Sequence, residues 1–225
     1  IPKILNEAFD LALTPRCGPV HVNLPRDILA NNANFAEFHK HQNNILPKAS
    51  KNQLTKTIGI ILSSSKPVII AGGGIKNTQG GQEVLHLAKI LNIPIVSSAG
   101  HGDVLPFDES LYAGQMGPRG NPVASDLVKE ADVILALGTR LGFNSTFFSY
   151  ENINEQASII QVDVDPKSLG RYFPINIGIC ADAKTTAIEL YNEISLKKEI
   201  VKFDSWAKKF LDKRKAYLLK RDAEA

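Results

Sequence analysis

The amino-acid sequence predicts an α/β fold, in which one parallel sheet of about six strands carries helices on both faces. Three observations predict it. Short aliphatic runs alternate along the chain with helical patterns. These runs are almost continuously apolar, as in strands that are covered on both faces. Several of them end in glycine, arginine or a carboxylate, as 67–71 does before Gly72 and 133–137 before Gly138. Such strand ends line the ligand crevices of α/β sheets.

Composition limits the class of protein. The chain has 225 residues, of which 44% are hydrophobic and 22% charged, which is typical of a globular protein with one sizeable core. No apolar run approaches the roughly 20 residues that span a bilayer, and no signal peptide is recognisable. We therefore expect a cytoplasmic protein without membrane contact.

The net charge of +3 comes from one end of the chain. Residues 196–225 contain ten Lys and Arg against five Asp and Glu, whereas the remainder contains 16 basic and 18 acidic residues. Because the body of the protein is not basic, we expect no nucleic-acid partner.

The first fifty residues predict little independent structure. Ile4, Ala8 and Phe9 recur at helical spacing, residues 14–19 break the helix, and 20–24 is predicted as a strand. One helix and one strand cannot form a core, and the chain opens without Met. We therefore expect 1–30 to be the tail of a preceding domain in an excised segment, followed by a polar linker at 31–49.

The histidines and cysteines of the chain give little indication of a metal site. His39 and His41 alternate within the linker without a neighbouring carboxylate or cysteine. Cys17 and Cys180 are too far apart in the sequence to match a zinc motif. We expect two buried or idle thiols and no metal site.

Regular α/β alternation begins at residue 50. Ser50 with Gln53 forms a capping-box signature at the start of a helix. Asn121 followed by Pro122 predicts a second helix start, and Asp182 a third. The predicted strands are 68–71, 93–96, 133–137, 159–164 and 175–179, with a further helix at 78–91.

The last segment, 201–225, is basic and carries an aromatic stripe that includes Trp206 and Phe210. A basic amphipathic helix is compatible with a membrane surface or a calmodulin-type partner. We favour a connecting helix whose aromatic stripe packs on neighbouring domains.

A glycine run follows the first strand of the sheet. Gly72, Gly73 and Gly74 would let a ligand approach the backbone without a Cβ in the way. The run is not a complete dinucleotide fingerprint, because Asn77 stands where the last glycine would be. A structural tight turn explains it as well.

Other strand ends carry groups that suit a phosphate or a ribose. Arg140 follows Gly138-Thr139, and Arg119 lies in a glycine-rich loop that leads to the Asn121 helix start. Asp163 and Asp165 stand at the end of the 159–164 strand. For Asp165 and Asp182, helix capping is an equal or better explanation, and Arg119 and His101 are also compatible with solvated loops.

The ordered series of motifs resembles thiamine diphosphate enzymes of the acetolactate synthase type. Residues 18–27, with the sequence GPVHVNLPRD, are similar to the end of that family's pyrimidine-binding domain. The PVIIAGGG, LGTR, QVDVDP and CADAK segments, within residues 50–195, are similar to its central domain. Residues 196–225 resemble the connector helix to a third domain.

The resemblance implies a three-domain enzyme in which a thiazolium ylid adds to a 2-keto acid, carbon dioxide leaves, and the carbanion attacks an acceptor. The activating Glu of the first domain and the Gly-Asp-Gly motif that holds magnesium diphosphate in the third are both absent here. Thiamine diphosphate and Mg²⁺ would therefore be bound outside this chain, which has no catalytic residue of its own. The resemblance also implies a homodimer or homotetramer.

In flavin-containing members the central domain holds FAD, and in other relatives ADP or nothing. The contacts that carry over are Gly73, Gly74, Ser98, Gly117, Gly120, Arg140, Asp163, Val164, Asp182 and Ala183. Acetolactate synthases usually continue the Gly-x-Arg turn with Phe-Asp-Asp, whereas this chain has Leu141-Gly142-Phe143. This departure, with Ser145-Thr146, resembles sulfoacetaldehyde acetyltransferase, which needs no flavin.

Three other classes fit less well. A stand-alone nucleotide-binding module would not begin with an orphan helix and strand. A sirtuin-like deacylase would carry four zinc-binding cysteines, and this chain has two. An NAD dehydrogenase would have an acid at the end of the second strand, where Ser97-Ser98 stands.

Overall fold

The computed structural model describes residues 1–32, 34 and 46–224, and for Glu224 the backbone alone. Most of the predicted linker at 31–49, with His39 and His41, lies outside the described residues. The chain divides into two compact units, Ile1–Leu46 and Pro47–Ala225.

The described part of the first unit contains two helices. Helix α1 spans Pro2–Leu13 and the short helix α2 spans Arg26–Leu29. The predicted helix is confirmed, but the predicted strand at 20–24 is wrong, because these residues form no strand. A strand requires a hydrogen-bonded neighbour, and the described part of this unit offers none.

The second unit is built on a six-stranded sheet, which confirms the predicted fold class. Its strands are β1 (Pro67–Ala71), β2 (Ile95–Ser97), β3 (Tyr112–Gln115), β4 (Val133–Leu137), β5 (Ser158–Asp163) and β6 (Ile177–Cys180). All neighbouring pairs are parallel, and the spatial order is β3-β2-β1-β4-β5-β6. This is the doubly wound Rossmann order, in which the chain reverses direction across the sheet between β1 and β4.

Helices cover this sheet in two groups. They are α3 (Lys51–Leu62), α4 (Gly73–Asn77), α5 (Gly81–Leu91), α6 (Pro122–Glu130), α7 (Phe143–Thr146), α8 (Ala183–Ser195) and α9 (Asp204–Glu224), with a 3₁₀ turn at Pro166–Ser168. Helix α8 packs against α3, α4 and α5, whereas α6 packs against α9. The central strands β1 and β4 are fully buried, as their apolar composition requires.

The predicted helix starts are confirmed. The Ser50 hydroxyl accepts from the Gln53 N–H, and the Gln53 side chain accepts from the Ser50 N–H, which completes the capping box of α3. Asn121 caps α6 through the N–H of Val123. Each cap satisfies a backbone donor that the first helical turn leaves unpaired.

Two elements differ from the prediction. The predicted helix at 78–91 is two helices, because α4 begins directly after the glycine turn and Gln79, at φ +53°, separates it from α5. Strand β3 is missing from the predicted set. Its four residues include Gly114, at φ +90°, and the polar Gln115, so the aliphatic run that identifies the other strands is absent.

The aromatic stripe of α9 packs on the second unit itself, which corrects the expectation that it packs on neighbouring domains. Trp206 is buried, and its indole N–H donates to the carbonyl of Pro67 at 2.9 Å. Phe203 and Phe210 are buried beside it. The start of α9 is therefore fixed to the N-terminal end of β1.

Candidate functional site

All ten predicted contact residues lie at the carboxyl edge of the sheet. Each stands at or within five residues of the last residue of its strand: Gly73 and Gly74 after β1, Ser98 after β2, Gly117 and Gly120 after β3, Arg140 after β4, Asp163 and Val164 at the end of β5, and Asp182 and Ala183 after β6. Parallel strands place these turns at one edge, where open α/β sheets bind their ligands.

The turns after β1 and β4 meet at the point where the strand order reverses. We call these two turns, residues 72–74 and 138–140, the switch edge. The N–H of Gly74 donates to the carbonyl of Gly138 at 2.9 Å. A Cβ on Gly72 would lie 2.4 Å from the Gly138 oxygen, and one on Gly74 would lie 2.7 Å from the Gly138 Cα. Gly72 and Gly74 are therefore required by the packing of the two turns.

Gly73 differs from the glycines beside it. A Cβ at this position would meet no backbone atom, but would lie 3.0 Å from both Cε1 and Nε2 of the His101 ring. His101 belongs to the segment that follows β2. The open side of Gly73 thus faces a side chain that can rotate.

His101 is partly buried and stands beside an ion pair. Lys76 on α4 lies 2.9 Å from the carboxylate of Asp103. Burial lowers the pKa of the His101 imidazole below its ordinary value, Lys76 lowers it further, and Asp103 opposes the shift. Its Nδ1 atom is buried and has no hydrogen-bond partner within the part of the chain that the structure describes.

The segment after β2 is fastened to its neighbours. The N–H of Ala99 donates to the Ser145 hydroxyl at 2.9 Å, and the N–H of Gly100 donates to the Gln115 side chain at 3.0 Å. Ser98 is buried, and its own N–H bonds to the carbonyl of Ala71. The carboxyl ends of β1, β2, β3 and β4 are therefore linked into one surface.

The glycines after β3 have structural reasons of their own. A Cβ on Gly117, at φ +102°, would lie 2.6 Å from the Asn144 carbonyl oxygen, and one on Gly120 would lie 2.2 Å from the Gln115 carbonyl oxygen. The start of α6 offers fewer free donors than its sequence suggests, because Asn121 occupies one N–H and Pro122 has none. Arg119 is exposed on this turn.

Arg140 is exposed at the switch edge, and its guanidinium makes no hydrogen bond or ion pair with another described residue. The turn beneath it is fixed: the Thr139 hydroxyl accepts from the Leu141 N–H, and the Leu141 carbonyl accepts from the Thr146 hydroxyl. Arg140 is thus an exposed cation on a hydrogen-bonded turn.

Gln161 fixes the same turn from below and is a residue that sequence reasoning missed. Its buried side chain donates to the carbonyls of Thr139 at 3.0 Å and Ser168 at 3.1 Å, and accepts from the N–H of Gly170 at 2.8 Å. A glutamine inside an apolar strand was the available signal, since a buried polar side chain needs partners.

The carboxylates at the ends of β5 and β6 accept hydrogen bonds from backbone N–H groups. Asp163 is buried and accepts from the N–H of Asp165 at 2.9 Å, while Asp165 caps the 3₁₀ turn through Lys167. Asp182 caps α8 through the N–H of Thr185 at 2.7 Å, as expected. Val164 is partly buried and Ala183 is buried in the first turn of α8.

This edge brings together the backbone at Gly73, the exposed guanidinium of Arg140 and the carboxylates of Asp163 and Asp182. Among residues 1–32, 34 and 46–224, no group of three or more His, Cys, Asp or Glu is arranged to hold a metal ion. Within the same residues, no helix is both long and apolar enough to cross a membrane.

Comparison with known proteins gives a consistent match. Residues 54–190 match the family described as "Thiamine pyrophosphate enzyme, central domain". The chain is 30% identical over 225 residues to a probable acetolactate synthase large subunit of Methanocaldococcus jannaschii, covering 96% of this chain and 37% of that protein. It is 32% identical over 211 residues to the acetolactate synthase large subunit of Buchnera aphidicola, covering 92% of this chain and 37% of that protein.

A relative of different activity is similarly close. The chain is 35% identical over 179 residues to a sulfoacetaldehyde acetyltransferase of Castellaniella defragrans, covering 79% of this chain and 30% of that protein. The chain thus spans 30–37% of the length of these curated relatives.

Proposed function

The chain belongs to the thiamine pyrophosphate enzyme family, of which it contains the central domain, and we propose that this domain holds a nucleoside diphosphate, as ADP or within FAD. The observation that carries the proposal is Arg140. Arg140 has no hydrogen bond or ion pair with another described residue, and it lies at the switch edge, where doubly wound folds bind dinucleotides. An exposed guanidinium on a rigid turn is suited to a diphosphate, which it can contact through two parallel hydrogen bonds.

The remaining residues of this edge support the same ligand class. The ribose hydroxyls would be taken by the carboxylates of Asp163 and Asp182, which stand at the ends of the neighbouring strands β5 and β6. Gly73 would lie against the planar or anionic part of the ligand. We assign the bound nucleotide a structural role, as the family resemblance implies for this domain.

The resemblance assigns thiamine diphosphate and Mg²⁺ to the first and third domains of the family rather than to the central one. Among the described residues, no group of three or more His, Cys, Asp or Glu could hold a metal ion. We therefore propose that both are bound by parts of the enzyme outside this chain. No catalytic step is assigned to the chain's own residues.

For the whole protein we propose a thiamine-dependent transferase that decarboxylates a 2-keto acid and passes the two-carbon unit to an acceptor, as expected of an acetolactate synthase. The proposed enzyme is a cytoplasmic homodimer or homotetramer. The second candidate is a sulfoacetaldehyde acetyltransferase, which is favoured by the similarity to the C. defragrans protein and by Leu141-Gly142-Phe143.

Ligand binding tests the domain's role directly. Isothermal titration calorimetry of the chain with ADP, and separately with FAD, should show binding at one site. Arg140→Gln should weaken it roughly tenfold, the loss expected for a charge-assisted hydrogen bond. Arg221→Gln removes an arginine from the far end of α9 and is the matched control. Absence of binding by a folded sample would overturn the proposed role.

Activity separates the chain from the whole enzyme. The chain alone, supplied with pyruvate, thiamine diphosphate and magnesium, should neither release carbon dioxide nor form a condensation product. Turnover by this segment would contradict the assignment of the reaction to other domains. In the complete enzyme, acetolactate formation from pyruvate supports the first candidate, and acetyl transfer from sulfoacetaldehyde supports the second.

A further inference from the structure

The His101 ring occupies the space that Gly73 leaves open. Of the three consecutive glycines, Gly72 and Gly74 have their open sides filled by the turn at Gly138. The three atoms nearest to the open side of Gly73 all belong to the His101 ring, with Cε1 and Nε2 at 3.0 Å from where a Cβ would stand. A ligand that lies on the Gly73 backbone therefore needs the position that the ring now takes.

The backbone around His101 is held on both sides, so the loop need not move with the ring. Before it, Ala99 and Gly100 are bonded to Ser145 and Gln115. After it, the carbonyl of Gly102 accepts from the Tyr112 hydroxyl at 2.8 Å. The His101 N–H bonds to the carbonyl of Ser98. Side-chain rotation is therefore the motion that uncovers Gly73.

In its present position the His101 ring leaves one polar atom without a hydrogen bond to a described residue. Its Nδ1 is buried without a partner among the described residues, although buried polar atoms in folded proteins are nearly always bonded. Rotation into solvent would return this atom to water. The charged groups that face the ring are Lys76 on α4 and Asp103 on its own loop, and they pair with each other rather than with the imidazole.

We propose that His101 is a gate over Gly73: its ring covers the glycine in the free protein and swings aside when a nucleoside diphosphate binds. The inference rests on the proposed function and adds a residue that controls how tightly and how fast the ligand enters. The ring competes with the ligand for one position, so it lowers the apparent affinity by the fraction of time that it is closed.

The test compares His101→Ala with wild type. Removing the ring should tighten ADP binding about threefold or more, because the open state no longer has to be selected. Stopped-flow measurements should assign most of the gain to a faster association rate. His86→Ala, on the exposed side of α5, removes an imidazole away from the switch edge and should leave ADP binding unchanged.

The outcomes separate the gate from the proposed function. Tighter binding by His101→Ala, or binding by this variant alone, supports the gate. Equal or weaker binding by the variant, with wild type binding ADP, overturns the gate and leaves the function standing. Absence of binding by both folded proteins overturns both.

A second measurement needs no variant. In wild-type protein labelled with ¹⁵N-histidine, the ring signals of His101 should shift when ADP is added, while those of His86 stay fixed. The two signals are assigned by single substitution. A saturated sample in which the His101 signals have not moved would overturn the gate.

Discussion

The N–H of Gly74 donates a 2.9 Å hydrogen bond to the carbonyl of Gly138, so the turn after β1 rests directly on the turn after β4. The ideal Cβ of Gly138 would lie 2.6 Å from the Cα of Gly74. Gly138 also has a φ of +62°, in the left-handed region that favours glycine. Close packing and backbone conformation thus require glycine at this position independently.

Gly138→Ala should therefore destabilise the domain by roughly 2–4 kcal/mol, from left-handed strain together with displacement of the Gly74 backbone. Urea unfolding followed by circular dichroism measures the loss. Gly59→Ala is the control, since nothing lies within 4 Å of its Cβ position in the exposed middle of α3. It should be neutral or stabilise by about 0.5–1 kcal/mol. Equal effects of the two substitutions would contradict the packing argument.

Gln161→Leu should cost about 2–3 kcal/mol, because three backbone groups at Thr139, Ser168 and Gly170 lose their buried partner. The substitution should also weaken ADP binding, since the turn that carries Arg140 loses its support. Unfolding and calorimetry on the same variant measure both effects. Gln156→Leu, at an exposed position, should change stability by less than about 0.5 kcal/mol. If Gln161→Leu leaves stability unchanged, the three hydrogen bonds of Gln161 do not stabilise the fold.

The first half of α9 is joined to the end of α6 by ion pairs that make stability depend on pH. Lys209 lies 2.6 Å and Lys213 2.5 Å from the Glu130 carboxylate, and their hydrogen bonds lower its pKa in the folded protein. A lowered pKa stabilises the fold above the ordinary glutamate value of about 4.3, and the contribution is lost as the pH falls through the folded pKa.

Glu130→Gln should therefore be less stable than wild type at neutral pH and equally stable in acid. The difference should not exceed about 1 kcal/mol, because both lysines are substantially exposed and screened by solvent. Urea unfolding at both pH values measures it. A difference that persists below the folded pKa would assign the effect to packing rather than charge.

Trp206 is the single tryptophan of the chain and reports the docking of α9. Its buried indole should give blue-shifted fluorescence that changes together with the circular dichroism signal on unfolding. Trp206→Phe should cost about 1–2 kcal/mol through the lost bond to the Pro67 carbonyl. Leu219→Ala, at an exposed site on the same helix, should cost little. Fluorescence that changes well before the rest of the unit unfolds would show that α9 is a separate element.

Much of the fold could be predicted because local signals and burial agree. The apolar runs of β1 and β4 are buried on both faces, and the caps at Ser50, Asn121 and Asp182 act through their own side chains. Strand β3 could not be predicted, since Gly114 and Gln115 pair with β2 through tertiary packing rather than local preference. The wrong strand at 20–24 shows the reverse: strand-like composition without a partner forms no strand.

The positions of the candidate residues could be predicted from the sequence, but what each residue contributes could be predicted less well. Strand ends place the ten residues at one edge, and this follows from parallel topology alone. Which glycines serve packing depends on neighbours distant in sequence, such as Gly138 for Gly74 and Asn144 for Gly117. The covering of Gly73 by His101 likewise depends on how the segment after β2 is fastened, which no local pattern encodes.

The central claim is that the carboxyl edge of this sheet holds a nucleoside diphosphate, and a backbone amide NMR titration with ADP tests it most directly. The account predicts saturable shifts concentrated at Gly73, Ser98 and Arg140, with the opposite edge unaffected at Lys66, whose N–H bonds to the Asp132 carboxylate. Shifts centred on Lys66, or none at millimolar ADP in a folded sample, would contradict it.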